Sequence, residues 1–166
     1  MRIGIFHGGA ASLENKIQRL ADHVQRAVDA ERDGFDSVWF AQTMTADALT
    51  TIALAGANTH RIELGTAVVP TFPRHPFVLA QQALTTQAAT GGRLALGIGP
   101  SHKMVIEDML GLSYDHPAKH IREYLSVLRP LVHEGSVAFS GSVYRVSGAL
   151  QVPGARPFPI LLAALA

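Results

Sequence analysis

Cysteine is absent from this chain of 166 residues, and charged residues make up only 16% of it. The lack of cysteine excludes disulfides, thiolate metal sites and a cysteine nucleophile, and it suits a reducing cytoplasm, where we expect the protein to be located. Lysine and arginine together number 14 against 13 acidic residues, and they are scattered along the chain rather than clustered. This distribution predicts that neither nucleic acid nor an anionic membrane is a partner.

Long apolar runs are absent as well. No stretch approaches the ~20 consecutive apolar residues of a membrane-spanning helix, and the N-terminus leads directly into a short strand-like run, residues 3–6, rather than a long signal segment. Hydrophobic residues nevertheless reach 48% of the chain. Such a composition is typical of strands that are covered on both faces, so we predict a soluble protein with a large core.

Strand-like and helix-like segments alternate along the whole chain. Short aliphatic runs predict strands, and apolar residues at helical spacing predict the helices between them. The predicted strands are 3–6, 37–41, 62–69, 94–99 and 160–164; the predicted helices are 13–32, 46–58, 76–90, a short one at 103–111, and a last one that starts at Pro117 and ends at Gly135. This alternation predicts parallel strands joined by right-handed crossovers.

The segment from Ile62 to Gly99 is the most informative part of the chain, because each of its strands runs into a glycine or proline turn. Its motifs, in order, are Leu-Gly-Thr at 64–66, Arg-His-Pro at 74–76, Gly-Arg at 92–93 and Leu-Gly-Ile-Gly at 96–99. This order resembles the bacterial luciferase-like monooxygenase superfamily. The continuation, Ser-His-Lys at 101–103 and Arg-Glu-Tyr-Leu at 122–125, resembles the branch that uses the deazaflavin coenzyme F420.

The resemblance implies a TIM (β/α)8 barrel, of which this chain is only a part. A complete barrel needs about 250 residues, whereas these 166 residues supply about four βα units and a fifth strand. We therefore expect an α/β fold, a partial TIM barrel in a single domain, 1–166, with a small β-hairpin insertion at about 137–146. Strands one and five would leave open sheet edges, so we expect a truncated product or a homo-oligomer.

Function in parallel α/β folds collects where the strands end. At the end of strand three, the resemblance places a bulge with a non-proline cis peptide bond, Ala67–Val68, that supports the centre of the flavin ring. It also implies that the backbone after strand four contacts the cofactor. From the residues alone, an ordinary strand ending at Pro70 is the alternative. The candidate cofactor-binding residues are Thr66, Ala67, Val68, Gly97, Gly99, Pro100 and Ser101.

Three residues after strand ends are candidates for the catalytic chemistry. His102 stands where some members of the deazaflavin branch carry a glutamate as proton donor, and histidine can do that work near neutral pH. His7, after strand one, is a second candidate. The alternative is a solvated histidine for His102, and a helix-capped or solvated histidine for His7. Gln42 stands, with Thr43, where several deazaflavin dehydrogenases have an Asp-His pair, so the departure disfavours alcohol dehydrogenation and favours hydride delivery to an activated alkene, imine or carbonyl.

No metal site is predicted. His116 and His120 are four residues apart, a spacing that can chelate a metal from a helix, but no third ligand accompanies them. Arg122 and Glu123 are interpreted as surface or inter-helix ion pairs. The resemblance implies hydride transfer between coenzyme F420 and a small-molecule organic substrate. The alternatives are an FMN-dependent monooxygenase on the same barrel, or a truncated half-barrel without catalytic activity.

Overall fold

The structure is a computed structural model that describes residues 1–8, 19–42, 44 and 46–163. Its strands are β1 (Gly4–His7), β2 (Ser37–Phe40), β3 (Glu63–Thr66), β4 (Val69–Pro70), β5 (Leu94–Gly99), β6 (Ser136–Ser140), β7 (Arg145–Ala149) and β8 (Ile160–Leu162). Its α-helices are α1 (Leu20–Arg32), α2 (Ala48–Ala57), α3 (Pro76–Ala89) and α4 (Pro117–His133), and a π-helical turn covers Val105–Met109.

One sheet contains the parallel strands in the order β1, β2, β3, β5. Strands β3 and β4 lie one after the other along the same edge of β5, pairing with Leu94–Ala95 and Ile98–Gly99 respectively, while β8 pairs in parallel with the other edge. The predicted α/β fold of alternating units with parallel strands is therefore confirmed. All carboxyl ends of these strands meet at one edge of the sheet.

Strand three is divided, which corrects the prediction of one continuous strand over 62–69. The peptide bond between Ala67 and Val68 is cis, as the resemblance implied, and these two residues lie outside both β3 and β4. The physical reason for the break is a side chain. The hydroxyl of Thr66 takes over the hydrogen bonds of Gly97 on β5, so the backbone leaves the ladder at this point.

The sheet has one face covered by the helices. Val38, Leu64 and Leu96 alternate along their strands with residues of the opposite face, and each is at most 1% exposed in a core shared with the helices. The opposite face, here called the inner face, carries Trp39 and Gly65 at one level, since a Cβ on Gly65 would meet the indole. The inner face of β5 continues with small residues only: Ala95, Gly97 and Gly99.

The helix boundaries follow local capping chemistry. Arg19 has an extended backbone (φ −72°, ψ 154°), so α1 begins at Leu20; the predicted start at Leu13 falls in residues 9–18, which lie outside the described residues. Helix α2 begins after Asp47, whose carboxylate accepts the N–H of Thr50 at 2.8 Å. Pro76 and Pro117 occupy first-turn positions of α3 and α4, where a missing N–H costs no helix hydrogen bond.

The predicted insertion is confirmed as an antiparallel pair, β6 and β7, which is slightly longer than the predicted 137–146. Its partner in packing is α4, and the N–H of Leu150 donates to the carbonyl of Gly135 at 2.8 Å, closing the base of the hairpin. The predicted short helix at 103–111 is a single π-helical turn. Within the described residues, no helix has the length and apolar character needed to cross a membrane.

Candidate cofactor site

The ends of β3 and β5 form a closely packed layer of backbone and small side chains, which we call the bulge wall: Thr66, Ala67, Val68, Gly97 and Gly99. A Cβ on Gly97 would lie 2.1 Å from the carbonyl oxygen of Thr66, and one on Gly99 would lie 3.0 Å from a methyl group of Val68. Only glycine allows the two backbones to come this close. The structure therefore brings together five of the seven predicted cofactor-binding residues.

The other two, Pro100 and Ser101, continue from the wall. Ser101 has a left-handed backbone (φ 66°), and its carbonyl accepts the Tyr114 hydroxyl at 2.9 Å. The next residue, His102, has an exposed side chain, and its carbonyl accepts the N–H of Ile106 at 3.1 Å at the start of the π-helical turn. The imidazole of His102 is therefore exposed to solvent, three residues after Gly99, the last residue of the wall.

Gln42 has a structural task. Its side-chain carbonyl accepts the N–H of Ala48 at 2.9 Å, which satisfies one of the free donors at the start of α2. Asp47 caps the same helix end and also accepts a hydrogen bond from Arg74 at 2.5 Å. Thr43, the second residue at the place of the family's Asp-His pair, lies outside the described residues.

His7 lies at the carboxyl end of β1 but is not brought to the bulge wall. Its Nε2 is 2.9 Å from Nδ1 of His23, and its Nδ1 is 2.7 Å from a guanidinium nitrogen of Arg26, both on α1. Its ring also meets Phe40, a core residue, edge to face. Burial first, and then the charge of Arg26 and the neighbouring His23, lower the pKa of His7 to about 4. The imidazole is therefore neutral and faces the helix layer.

Thr71, Phe72 and His120 form a packed group beside the wall that sequence reasoning missed. His120 was considered only as a possible chelating partner of His116, yet it is 4% exposed and its ring stacks on Phe72. A usable signal was present, since His120 shares a helix face with the buried residues Tyr124, Val127 and Leu131. No three His, Cys, Asp or Glu side chains among the described residues are grouped to hold a metal ion.

Among the described residues Glu123 binds backbone groups and forms no ion pair, which corrects the interpretation from sequence. Its carboxylate accepts the N–H groups of Ser142, Val143 and Tyr144 at 3.1, 2.8 and 3.0 Å, and so holds the tip of the β6–β7 hairpin against α4. Burial by itself would raise the pKa of Glu123, but these donors outweigh it and lower the pKa to about 2. The hairpin thereby places Tyr144 near His120.

The family model described as luciferase-like monooxygenase matches residues 1–166. The chain belongs to the luciferase-like monooxygenase family. The match covers the whole chain, and the predicted resemblance to this family is confirmed.

Two curated proteins are similar to this chain. The putative coenzyme F420-dependent oxidoreductase Rv3520c of Mycobacterium tuberculosis is 36% identical over 126 residues, which are 75% of this chain and 36% of that protein. The F420-dependent glucose-6-phosphate dehydrogenase of Intrasporangium calvum is 33% identical over 164 residues, 89% of this chain and 48% of that protein. The chain thus spans about half the length of these relatives, or less.

A solved structure has the same fold as this chain. The oxygenating constituent of 3,6-diketocamphane monooxygenase from Pseudomonas putida, determined in complex with FMN, superimposes with a TM-score of 0.82 at 17% identity, over 98% of this chain and 51% of that one. The alternating βα units therefore correspond to about half of a TIM-barrel-like protein, as predicted. Both curated relatives are named as F420-dependent enzymes, and the solved structure contains FMN.

Proposed function

We propose that this chain forms the ring-binding half of an F420-dependent oxidoreductase that transfers hydride between the deazaflavin and a small organic substrate. The observation that carries the proposal is the bulge wall. Ala67 and Val68 are partly exposed, and the methyl groups of Val68 lie against the buried Gly97 and Gly99, so the wall presents methyl groups without a bulky or charged side chain. An apolar wall of methyl groups on closely packed backbone fits one face of a tricyclic ring.

The residues of the chain would bind and orient the ring rather than react with it. The bound deazaflavin itself supplies the hydride chemistry. Thr66, through its two hydrogen bonds to Gly97, keeps the wall rigid, and the backbone of Pro100 and Ser101 borders the ring. His102 is the candidate proton donor or acceptor, because its exposed imidazole follows directly after this border.

The substrate class follows from what Gln42 does. Its side-chain carbonyl is occupied at the start of α2, and an amide does not titrate, so it cannot take a proton from a hydroxyl group. This favours hydride delivery to an activated alkene, imine or carbonyl over the oxidation of an alcohol or sugar. One relative is an F420-dependent glucose-6-phosphate dehydrogenase. Because Gln42 cannot act as a base, we do not propose sugar oxidation for this chain.

An FMN-dependent monooxygenase is the second candidate. It is supported by the fold shared with the oxygenating constituent of 3,6-diketocamphane monooxygenase, which binds FMN. A wall of backbone and methyl groups would accept either ring system. Measuring the affinity of the chain for both cofactors distinguishes the two candidates, and binding of neither favours a half-barrel that is not catalytic on its own.

Trp39 provides the readout, because it is the only tryptophan of the chain and lies against Gly65, one level below the wall. A ring bound at the wall would quench its emission by energy transfer. We expect saturable quenching by coenzyme F420, with weaker binding of FMN. No saturable quenching by either cofactor at high micromolar concentration would reject the proposal for this chain.

A matched pair of variants locates the bound ring. Val68→Glu introduces a charge into the wall and is expected to weaken cofactor binding by at least about tenfold, since it would be buried beneath the ring. Val78→Glu makes the same change at an exposed position of α3, where Val78 is 57% exposed, and is expected to leave the affinity unchanged. Equal affinities in the two variants would place the ring elsewhere.

A further inference from the structure

We propose that His120 is a positioning residue for the bulge wall: through Thr71 and Phe72 it holds together the two loops that leave β4 and β5. This inference rests on the proposed function only where it concerns the cofactor. Its structural part, that the order of the wall depends on a side chain of α4, stands on hydrogen bonds and ring contacts alone.

The first link runs through Thr71, the residue after β4. Its hydroxyl oxygen is 2.9 Å from Nε2 of His120, and its backbone N–H donates to the carbonyl of Gly99 at 2.9 Å. Thr71 is fully buried and His120 is 4% exposed, so water cannot replace either partner. A change in the position of His120 is therefore transmitted to the end of β5 through one threonine.

The second link runs through stacked rings. The His120 and Phe72 rings are parallel within 3°, with centroids 3.8 Å apart, and Phe72 in turn stacks on Tyr114 at 4.9 Å. The Tyr114 hydroxyl donates to the carbonyl of Ser101 at 2.9 Å. Both ends of the segment from Gly99 to Ser101, which borders the proposed ring site, are thus connected to the same imidazole.

The polar contacts of His120 require an imidazole rather than an apolar side chain. Burial lowers the pKa of His120, so the ring is neutral and has one donor and one acceptor nitrogen. Nε2 faces Thr71, while Nδ1 lies 3.5 Å from the Tyr144 hydroxyl on the hairpin. The ring of Tyr124 also contacts His120, and its buried hydroxyl has no hydrogen-bond partner among the described residues.

Substitutions separate the two links. His120→Phe keeps a ring that can stack on Phe72 but removes the bond to Thr71, whereas His120→Gln keeps a nitrogen donor and removes the stack. Thr71→Val removes the hydroxyl from the other side, and Thr71→Ser keeps it. His133→Phe is the control on the same helix, because His133 is exposed near its end.

The decisive measurement is amide hydrogen exchange in the chain without cofactor. We expect His120→Phe and Thr71→Val each to lower the protection of the amide at position 71 by about tenfold or more, with no further loss in the double variant. The amide of Ala163 donates to Ile98 across the other edge of β5 and should not change. His133→Phe should match the wild type. Unchanged protection at position 71 in folded His120→Phe overturns the proposal.

Two further outcomes keep the test decisive. If circular dichroism shows that His120→Phe does not fold, the milder Thr71→Val and Thr71→Ser pair carries the comparison, and equal protection in that pair overturns the proposal. For the cofactor, we expect an affinity for F420 about tenfold weaker in Thr71→Val than in Thr71→Ser. If the wild type binds neither cofactor, the proposed function fails, while the exchange data still decide the role of His120.

Discussion

Arg93 and Thr59 are joined by two hydrogen bonds at the end of the sheet opposite the bulge wall. One guanidinium nitrogen of Arg93 donates to the hydroxyl of Thr59 and the other to its carbonyl, both at 2.9 Å. The same group also donates to the carbonyls of Gly56 and Ile62 at 2.8 and 3.1 Å. The Arg93 side chain thus donates to the carbonyls at the end of α2 and before β3. The arginine of the Gly-Arg motif therefore has a structural role.

Replacement of Arg93 by lysine should destabilise the fold without affecting the cofactor site. An ammonium group cannot reach all four acceptors, so partly buried carbonyls lose their donors, and we expect a loss of about 2–3 kcal/mol in the free energy of unfolding. Urea denaturation measures this. Arg156→Lys, at an exposed arginine that donates to Gly91, is the control and should change stability by less than about 0.5 kcal/mol. Equal effects of the two substitutions would contradict this reading of Arg93.

The hydroxyl of Thr66 replaces a piece of the sheet ladder. It donates to the carbonyl of Gly97 at 2.8 Å and accepts the N–H of the same residue at 2.8 Å, in a fully buried position. Thr66→Val keeps the shape but leaves two buried backbone groups unpaired, at an expected cost of about 2–4 kcal/mol. Thr66→Ser keeps the hydroxyl and should cost about 1 kcal/mol or less. Similar stabilities of the two variants in chemical denaturation would show that the hydroxyl is dispensable.

Gly97 and Gly99 give a matched test of how closely the wall is packed. A Cβ on Gly97 would meet the Thr66 carbonyl oxygen at 2.1 Å, which only a backbone shift can relieve, so Gly97→Ala should cost about 2 kcal/mol or more. A Cβ on Gly99 would meet a Val68 methyl group at 3.0 Å, which a small side-chain movement relieves. Thermal unfolding should therefore show a clearly lower Tm for Gly97→Ala than for Gly99→Ala, and the reverse order would refute the packing argument.

The strands and their direction could be predicted because they depend on composition and alternation, which are local. The division of strand three could not be predicted from the residues, since it depends on the Thr66 hydroxyl meeting Gly97, 31 positions away. Aliphatic residues continue through the break without a gap in the pattern. Only the resemblance to the family pointed to Ala67–Val68 as its position.

The sequence predicts which residues lie at the strand ends, but it does not predict the direction in which their side chains point. Because side chains alternate between the two faces of a strand, the end of β1 alone does not say that His7 turns towards α1. Glu123 shows the same limit on a helix. A charged residue beside Arg122 reads locally as a surface ion pair, whereas its partners are three backbone N–H groups in the hairpin.

The buried pair of His7 and His23 predicts a dependence of stability on pH. Burial is the main cause that lowers the pKa of both imidazoles, and it brings that of His7 to about 4, against 6.5 in the unfolded chain. Between these values the unfolded chain binds more protons than the folded one. The free energy of unfolding must therefore decrease as the pH is lowered from about 6.5 towards 4. Above about pH 6.5 this contribution to stability is fully present.

Comparison of the unfolding free energy at pH 7.5 and pH 5 tests this sign. We expect the wild type to lose about 1–2 kcal/mol more than His7→Gln between these conditions, since glutamine does not titrate. His60→Gln, at an exposed histidine, should keep the wild-type dependence. Glu123, whose pKa is lowered to about 2, titrates below this range and adds little to the difference. A wild-type slope in His7→Gln would mean that the buried imidazole is already protonated in the folded protein, with Arg26 displaced from it.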